Sequence, residues 1–300
     1  MQRALRFNEL FDPDFLSALT HLSLVARRVA AGGRHGERLS KDLGAGVEFK
    51  DFRPYSAGDD LRAVDWNIYR RLGKLSLRLF EEQQELPLYL MPDVSESLFL
   101  ESPPRIIPCL RATLALAAIG VEHQDAAGVF PFDNELQVLM KPRSGRASVM
   151  VMAQRLADKL STSTPAPTDL AKAVETLSHM KLRPGLVVVI SDFFDPQGID
   201  AIRKAFRGLR HRLLLIQLVR ATDANPDLEG DVRLSDCETG EIIDLSITPD
   251  AIQQYKRAHA TFEAGLAGLA GEFGSRLLRL DVEQDVVAQL ETFFEGGIQL

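Results

Sequence analysis

The segment GLVVVI (185–190) has no polar side chain, and four of its six residues are β-branched. A strand with no polar face must be covered on both sides, which is the situation of a parallel sheet sandwiched between helices. Two further segments share this character. LPLYLMP (86–92) is almost wholly apolar and stops at Asp93, and RLLLIQLV (212–219) carries two polar residues, Arg212 at its start and Gln217. Between and after them lie helical patterns at 105–123, 145–160, 169–182, 198–209, about 250–272 and about 284–295. Shorter strands are expected at 127–132, 136–140 and 276–282. Strand–helix alternation of this kind specifies an α/β, doubly wound, mostly parallel sheet. The strands at 86–92 and 186–191 are expected side by side, and 136–140 antiparallel at one edge.

Two stretches break the rhythm. Residues 221–247 hold DVRLSD and EIIDLSI around Cys237-Glu238-Thr239-Gly240, a β-hairpin with glycine at its special turn position. Residues 1–85 differ from the rest. A helix at 14–30, with Leu16, Leu19, Leu22, Leu24 and Val25 near one face, stops at Gly32-Gly33. A segment punctuated by Gly44, Gly46, Pro54 and Gly58 then leads to a half-buried strand at 75–79. The polar run 81–85 could turn that strand back beside the next. Two domains follow: 1–85, a helix plus a small β-rich segment, and 86–300, the α/β sheet with its hairpin insertion.

A chain of 300 residues that is 45% hydrophobic can bury a large core. Its two cysteines, Cys109 and Cys237, form no disulfide framework, which points to a reducing compartment. No apolar run reaches the 18 or so residues of a membrane span, and the N-terminus lacks a signal peptide's apolar stretch. A cytoplasmic protein is expected. The net charge is −7, with 5 Lys/Arg against 16 Asp/Glu in residues 221–300. That balance argues against nucleic-acid binding.

In an open α/β sheet, ligands bind beyond the carboxyl ends of the strands. Asp93-Val94-Ser95-Glu96-Ser97 follows the first strand, Ser191-Asp192 follows GLVVVI, and Thr164, Thr168 and Asp169 precede the helix at 169. Hard oxygen donors suit Mg²⁺ or Mn²⁺. Serines two positions apart on a tight turn can face one ion while aspartates orient its waters. The same residues are also common helix caps: Thr168 before the helix at 169, Asp192 or Asp195 before the one near 198. Other chemistries lack their motifs. There is no phosphate-loop or dinucleotide fingerprint, no nucleophile elbow, no H-E-x-x-H and no C-x-x-C.

Asp93-x-Ser95-x-Ser97, Thr168 and Asp192 together resemble the metal-ion-dependent adhesion site of von Willebrand factor A-type domains. GVEFKDFRPYSAGDDLRAVDWNIYRRLGKLSLRLFEE (46–82) closely resembles the signature of a bacterial family built on that fold, domain-of-unknown-function family fifty-eight. The matching residues are Glu48, Phe49, Arg53, Tyr55, Gly58, Asp59, Asp60, Arg62, Asp65 and Trp66. LSDCETGEIIDL resembles the family's C-terminal hairpin. The resemblance covers residues 15–296. It departs from the pattern at Leu98 and at Pro92, which lacks an N–H just before the site.

The resemblance implies a metal set of Asp93, Ser95, Ser97, Thr168 and Asp192. It also implies partnership with a MoxR-type AAA+ ATPase or its client in maturing or remodelling protein complexes. Within 46–82, Trp66, Phe49, Tyr55 and Phe80 read as core, with Asp59, Asp60 and Asp65 pairing to Arg53, Arg62, Arg70 or Arg71. Arg53, Tyr55, Arg62, Asp65 and Trp66 are alternatively a partner-binding set. The expected function is a non-enzymatic adaptor whose cation grips a partner's carboxylate. The competing readings are a metal-dependent hydrolase or phosphotransferase using Asp93 and Asp192, and a structural subunit with a dead site.

Overall fold

A computed structural model describes residues 5–32, 48–56, 59–81, 86–162, 166–236 and 240–295. The elements in chain order are α1 (Phe7–Leu10), α2 (Pro13–Gly32), β1 (Glu48–Pro54), α3 (Trp66–Leu72), β2 (Ser76–Glu81), β3 (Leu88–Pro92) and α4 (Ile106–Glu122). Next come β4 (Ala127–Val129), β5 (Met140–Arg143), α5 (Ala147–Thr162), α6 (Leu170–His179), β6 (Leu186–Ser191), α7 (Gly198–Phe206) and β7 (Arg212–Val219). The chain ends with α8 (Ala221–Ala224), β8 (Gly230–Ser235), β9 (Ile242–Ile247), α9 (Pro249–Glu272), β10 (Arg276–Asp281) and α10 (Val286–Glu295).

The chain divides into two compact units, one of residues 1–28 with 86–300 and one of residues 29–85. The larger unit takes the N-terminal helices because Leu10, Phe11, Phe15, Leu19 and Leu22 are buried in its core.

The larger unit is a six-stranded sheet of order β10-β7-β6-β3-β4-β5. All pairs are parallel except β4–β5. Side-chain alternation sorts the apolar strands onto two faces. Leu88, Leu90, Val188 and Ile190 pack with α4, α5, α10 and the N-terminal helices. Tyr89, Met91, Val187 and Val189 pack with α6, α7 and α9. The fold is therefore α/β and doubly wound, as the von Willebrand factor A-type resemblance implies. β3 and β6 are adjacent, in register from Leu88↔Leu186 to Pro92↔Ile190.

Two strands differ from the sequence reading. The antiparallel edge strand begins at Met140 rather than ending there. Leu136 makes only an isolated bridge to Phe132, across a turn in which Asp133 Oδ1 accepts from Glu135 N at 3.0 Å. β2 does not fold back beside β3. It pairs antiparallel with β1, so β1–β2 is a separate two-stranded sheet, and β3 is flanked by β6 and β4. The run at 82–85 lies outside the described residues.

Pro92 is accommodated by the ladder's geometry. Its carbonyl accepts from Phe132 N at 3.1 Å, while the next amide, Asp93 N–H, donates to Ile190 O at 2.9 Å. The missing N–H thus falls on the side of the chain that continues from β4, and pairing with β6 on the other side is intact.

In the smaller unit, Trp66 is not core: it is 57% exposed. Of the expected ion pairs, Arg53–Asp59 forms at 2.6 Å. Asp60 and Asp65 accept backbone amides, Asp60 from Arg62 N at 2.9 Å and Asp65 from Asn67 N at 2.8 Å and Ile68 N at 3.2 Å. An aspartate just before a helical turn caps orphan donors that no side chain elsewhere would satisfy. Tyr55 is half-buried; the side chains of Phe49 and Phe80 are not described, though the two residues are cross-strand partners.

Candidate functional site

Numbering the sheet's strands by first appearance gives the order 3-2-1-4-5-6, which reverses direction between β3 and β6. That reversal opens a crevice beyond the strand ends, the usual ligand position in such sheets. Asp93 leaves β3 there, and Ser191 and Asp192 leave β6.

Asp93 is 1% exposed. Its Oδ1 accepts from Ser95 N at 2.9 Å, closing the tight turn that carries the serines. Its Oδ2 accepts from Ser191 Oγ at 2.6 Å, across the crevice. Ser191 Oγ in turn accepts from Phe193 N at 2.9 Å, so β6 fixes the rotamer of a side chain on β3. Asp192 Oδ1 accepts from Phe194 N at 3.1 Å. Phe193, between these two, is buried with φ +63°. A left-handed backbone at an L-residue costs about 1–2 kcal/mol. Here it turns the chain sharply just past Asp192.

Ser95 Oγ and Ser97 Oγ lie 3.1 Å apart. Ser95 is fully buried and Ser97 half-buried. The loop before α6 is tied to this turn, since Glu96 N donates to Ala166 O at 3.0 Å, and Thr168, buried, lies two residues on. Thr164 lies outside the described residues. The helix caps fall on neighbours of the candidate ligands. Asp169 caps α6 through Lys172 N at 2.9 Å, and Asp195 accepts from Leu170 N at 2.8 Å and Gln197 N at 2.7 Å.

Burial is the main force on both carboxyls. It pushes Asp93 up to about 7, reinforced by the charge of Asp192 and opposed by hydrogen bonds from Ser191 and Ser95. Asp192 is also raised by burial, with the Phe194 amide and the Arg105 guanidinium pulling the other way. A buried carboxyl beside the charge of a second buried carboxyl resists ionising unless a cation joins them.

Donor chemistry and spacing fit such a cation. The oxygens are hard, and two adjacent ligands of an octahedral Mg²⁺ with bonds of about 2.1 Å stand about 3 Å apart. Ser95 and Ser97 match that separation. Among the described residues there is no cluster of three or more His, Cys, Asp or Glu that could hold a metal. Any cation here would therefore rest largely on hydroxyls.

Two roles near the site escaped the sequence reading. Ser191, named there only as following the GLVVVI strand, is the partner that holds Asp93. Arg105 precedes α4 and is 3% exposed; it pairs with Glu101 at 2.8 Å and with Asp223, and donates to Leu218 O at 3.3 Å. Glu101 is four positions away, but Asp223 and Leu218 lie more than a hundred positions on, so no local pattern marks the contact that carries Arg105 across the fold. Of the partner-binding set, Arg62 and Trp66 are exposed, Arg53 and Tyr55 half-buried and Asp65 buried; all lie in the smaller unit.

Among the described residues, no helix is long and apolar enough to cross a membrane. Similar proteins include the uncharacterized protein Rv1480 of Mycobacterium tuberculosis and Mb1516 of Mycobacterium bovis. Each is 29% identical over 292 residues, 95% of this chain and 90% of the relative. Solved structures with a partial likeness include BatB from Bacteroides thetaiotaomicron, at TM-score 0.41 and 12% identity, covering 71% of this chain and 97% of that one. Another is the manganese-loaded TRAP protein of Plasmodium vivax, at TM-score 0.38 and 15% identity, covering 70% and 73%. The family described as "Protein of unknown function DUF58" matches residues 51–264, from β1 into α9, and the chain belongs to that family.

Proposed function

We propose that the protein is a non-enzymatic interaction module that binds a partner's carboxylate through a divalent cation, Mg²⁺ or Mn²⁺, at the β3/β6 crevice. The observation that carries this reading is the hydroxyl pair of Ser95 and Ser97, 3.1 Å apart beside Asp93. Ser95, Ser97 and Thr168 would hold the ion directly, and Asp93 and Asp192 would orient its waters. Bound there, the cation supplies a coordination position open to an incoming carboxylate. Neutral direct ligands leave it most of its charge, which favours an anionic sixth ligand. The Ser191 hydroxyl keeps Asp93 aimed at the crevice, and Arg105 offsets part of the charge of Asp192. The partner that the family resemblance nominates is a MoxR-type AAA+ ATPase or its client, in maturation or remodelling of protein complexes.

The test is thermal unfolding with increasing Mg²⁺ or Mn²⁺. A melting temperature that climbs with cation concentration is expected, since a ligand of the native state stabilises by mass action. Asp93→Ala and Asp192→Ala should remove the climb; an unchanged climb in both would place the ion elsewhere. Capture of the cognate ATPase should require the cation, be lost in chelator and be lost in Ser97→Ala. A second reading draws on the raised Asp93 carboxyl beside Asp192, an acid and base pair in the manner of a hydrolase or phosphotransferase. Mg²⁺-dependent hydrolysis of a phosphate ester, abolished by Asp93→Ala, would favour it over the adaptor.

A further inference from the structure

The β8–β9 hairpin is amphipathic in a way that its surroundings do not use. Register places Val232 opposite Leu245 and Leu234 opposite Ile243 on one face. The other face pairs Asp231 with Ser246 and Arg233 with Asp244. An alternating strand normally turns its apolar side to a core. Here Ile243 is 54% exposed, and Leu234 and Leu245 each 41%. A two-stranded sheet is marginal alone, and an open apolar face of this kind marks a contact surface. The loop that leads into the hairpin is acidic, with Asp227 and Glu229 exposed, while on the polar face Asp244 is engaged by Arg233 at 2.7 Å.

The smaller unit carries a surface of the opposite character. On α3, Ile68 is half-buried, and Trp66, Tyr69 and Arg70 are exposed on the face away from it. Trp66 and Tyr69 meet edge to face at 6.1 Å. Leu72 is 69% exposed beside them. Arg70, Arg71 and Lys74 are exposed and make no ion pair among the described residues. Exposed Trp, Tyr and Arg together are the residue types that dominate binding energy at protein interfaces.

We propose that the two surfaces are partners between copies of this chain: the α3 face of one copy docks on the β8–β9 hairpin of another. Apolar area meets apolar area, and a basic border meets an acidic one. Hairpin against hairpin would bury the same apolar face but set carboxylates against carboxylates, which costs energy. Each patch holds only four or five large side chains, below the roughly 800 Å² per partner of a standard interface, so the association is weak, in the micromolar range.

Trp66 is the chain's single tryptophan, so its fluorescence reports on the α3 face without labelling. Sedimentation velocity and Trp66 emission should be followed together over a dilution series of the full chain. The expected result is a mass above the monomer at high concentration, with emission shifting to the blue over the same range and both shifts weakened by salt. The surface variant Arg70→Glu/Arg71→Glu should stay monomeric with red emission. Mixing it with Asp227→Arg/Glu229→Arg should restore association, because the reversed charges match again. Three outcomes overturn the proposal: a monomer at every concentration, blue emission independent of dilution, or emission that moves only when vesicles of anionic lipid are added.

Discussion

Asp93 gives this protein one defined response to pH. An ordinary aspartyl group in the unfolded chain ionises near 3.8, whereas burial and the charge of Asp192 push the folded group up to about 7. Between those values the folded state holds a proton that the unfolded state has released. Stability therefore falls as pH rises through that window, and the penalty is complete above about 7. Without divalent cation, the melting temperature should be lower at pH 8 than at pH 5.5. Asp93→Asn should flatten that difference, and added Mg²⁺ should offset it by replacing the proton. A melting temperature that instead rises with pH in the metal-free protein would count against the buried, repelling pair. Ser191→Ala removes the hydroxyl that joins Asp93 Oδ2 to the Phe193 amide. Leaving both groups without it should cost about 1–3 kcal/mol in urea unfolding and weaken the cation's effect on melting.

At the scale of elements, the site depends on how closely β3 and β6 approach at the ends remote from it. A Cβ on Gly185 would fall on the carbonyl oxygen of Pro87 and lie 2.8 Å from the Tyr89 ring. Neither neighbour is the free end of a flexible side chain. Gly185→Ala should therefore destabilise by about 3 kcal/mol and weaken cation binding although it touches no candidate ligand. Equal cation response in the variant would show that the strand ends move independently. The sheet was readable in the sequence because β3, β6 and β7 are covered on both faces and so carry long apolar runs, interrupted within β7 only by Gln217. The edge strand β5 was misplaced by several residues because MKPR is half-exposed and holds a proline, tolerable only where no outer neighbour needs its N–H. The partner of β2 was not readable, since alternation shows which face is buried but not which strand lies alongside. Asp93, Ser95, Ser97 and Asp192 could be nominated because they follow strand ends. The pairing of Ser191 with Asp93 and of Arg105 with Asp223 could not, because those partners lie far away in the chain.

For the whole molecule, the N-terminal helices matter more than their position suggests. Phe11 is fully buried, and Phe15, Leu19 and Leu22 nearly so, against the same layer as α4 and α5. Arg111 of α4 fastens the segment by donating to Leu10 O at 2.9 Å and by pairing with Asp12. Phe11→Ala should cost about 3–5 kcal/mol, read by urea unfolding. Deleting residues 1–24 should expose enough apolar surface to bind a hydrophobic dye under native conditions. A deletion variant that melts like the full chain would mean that the helices only decorate the core.

Cys109 sits in the first turn of α4 with its Sγ 3.5 Å from the carbonyl oxygen of Asp93 and 3.6 Å from that of Ile190. It is fully buried, and burial holds its thiol well above the usual range. Such a thiol is inert until the structure around it parts. Its rate of alkylation is consequently a clock for excursions in which the β3 and β6 strand ends separate. With Cys237 replaced by serine, a cation seated at the crevice should slow that clock in proportion to its occupancy, and a ligand bound elsewhere should leave it running at the same rate.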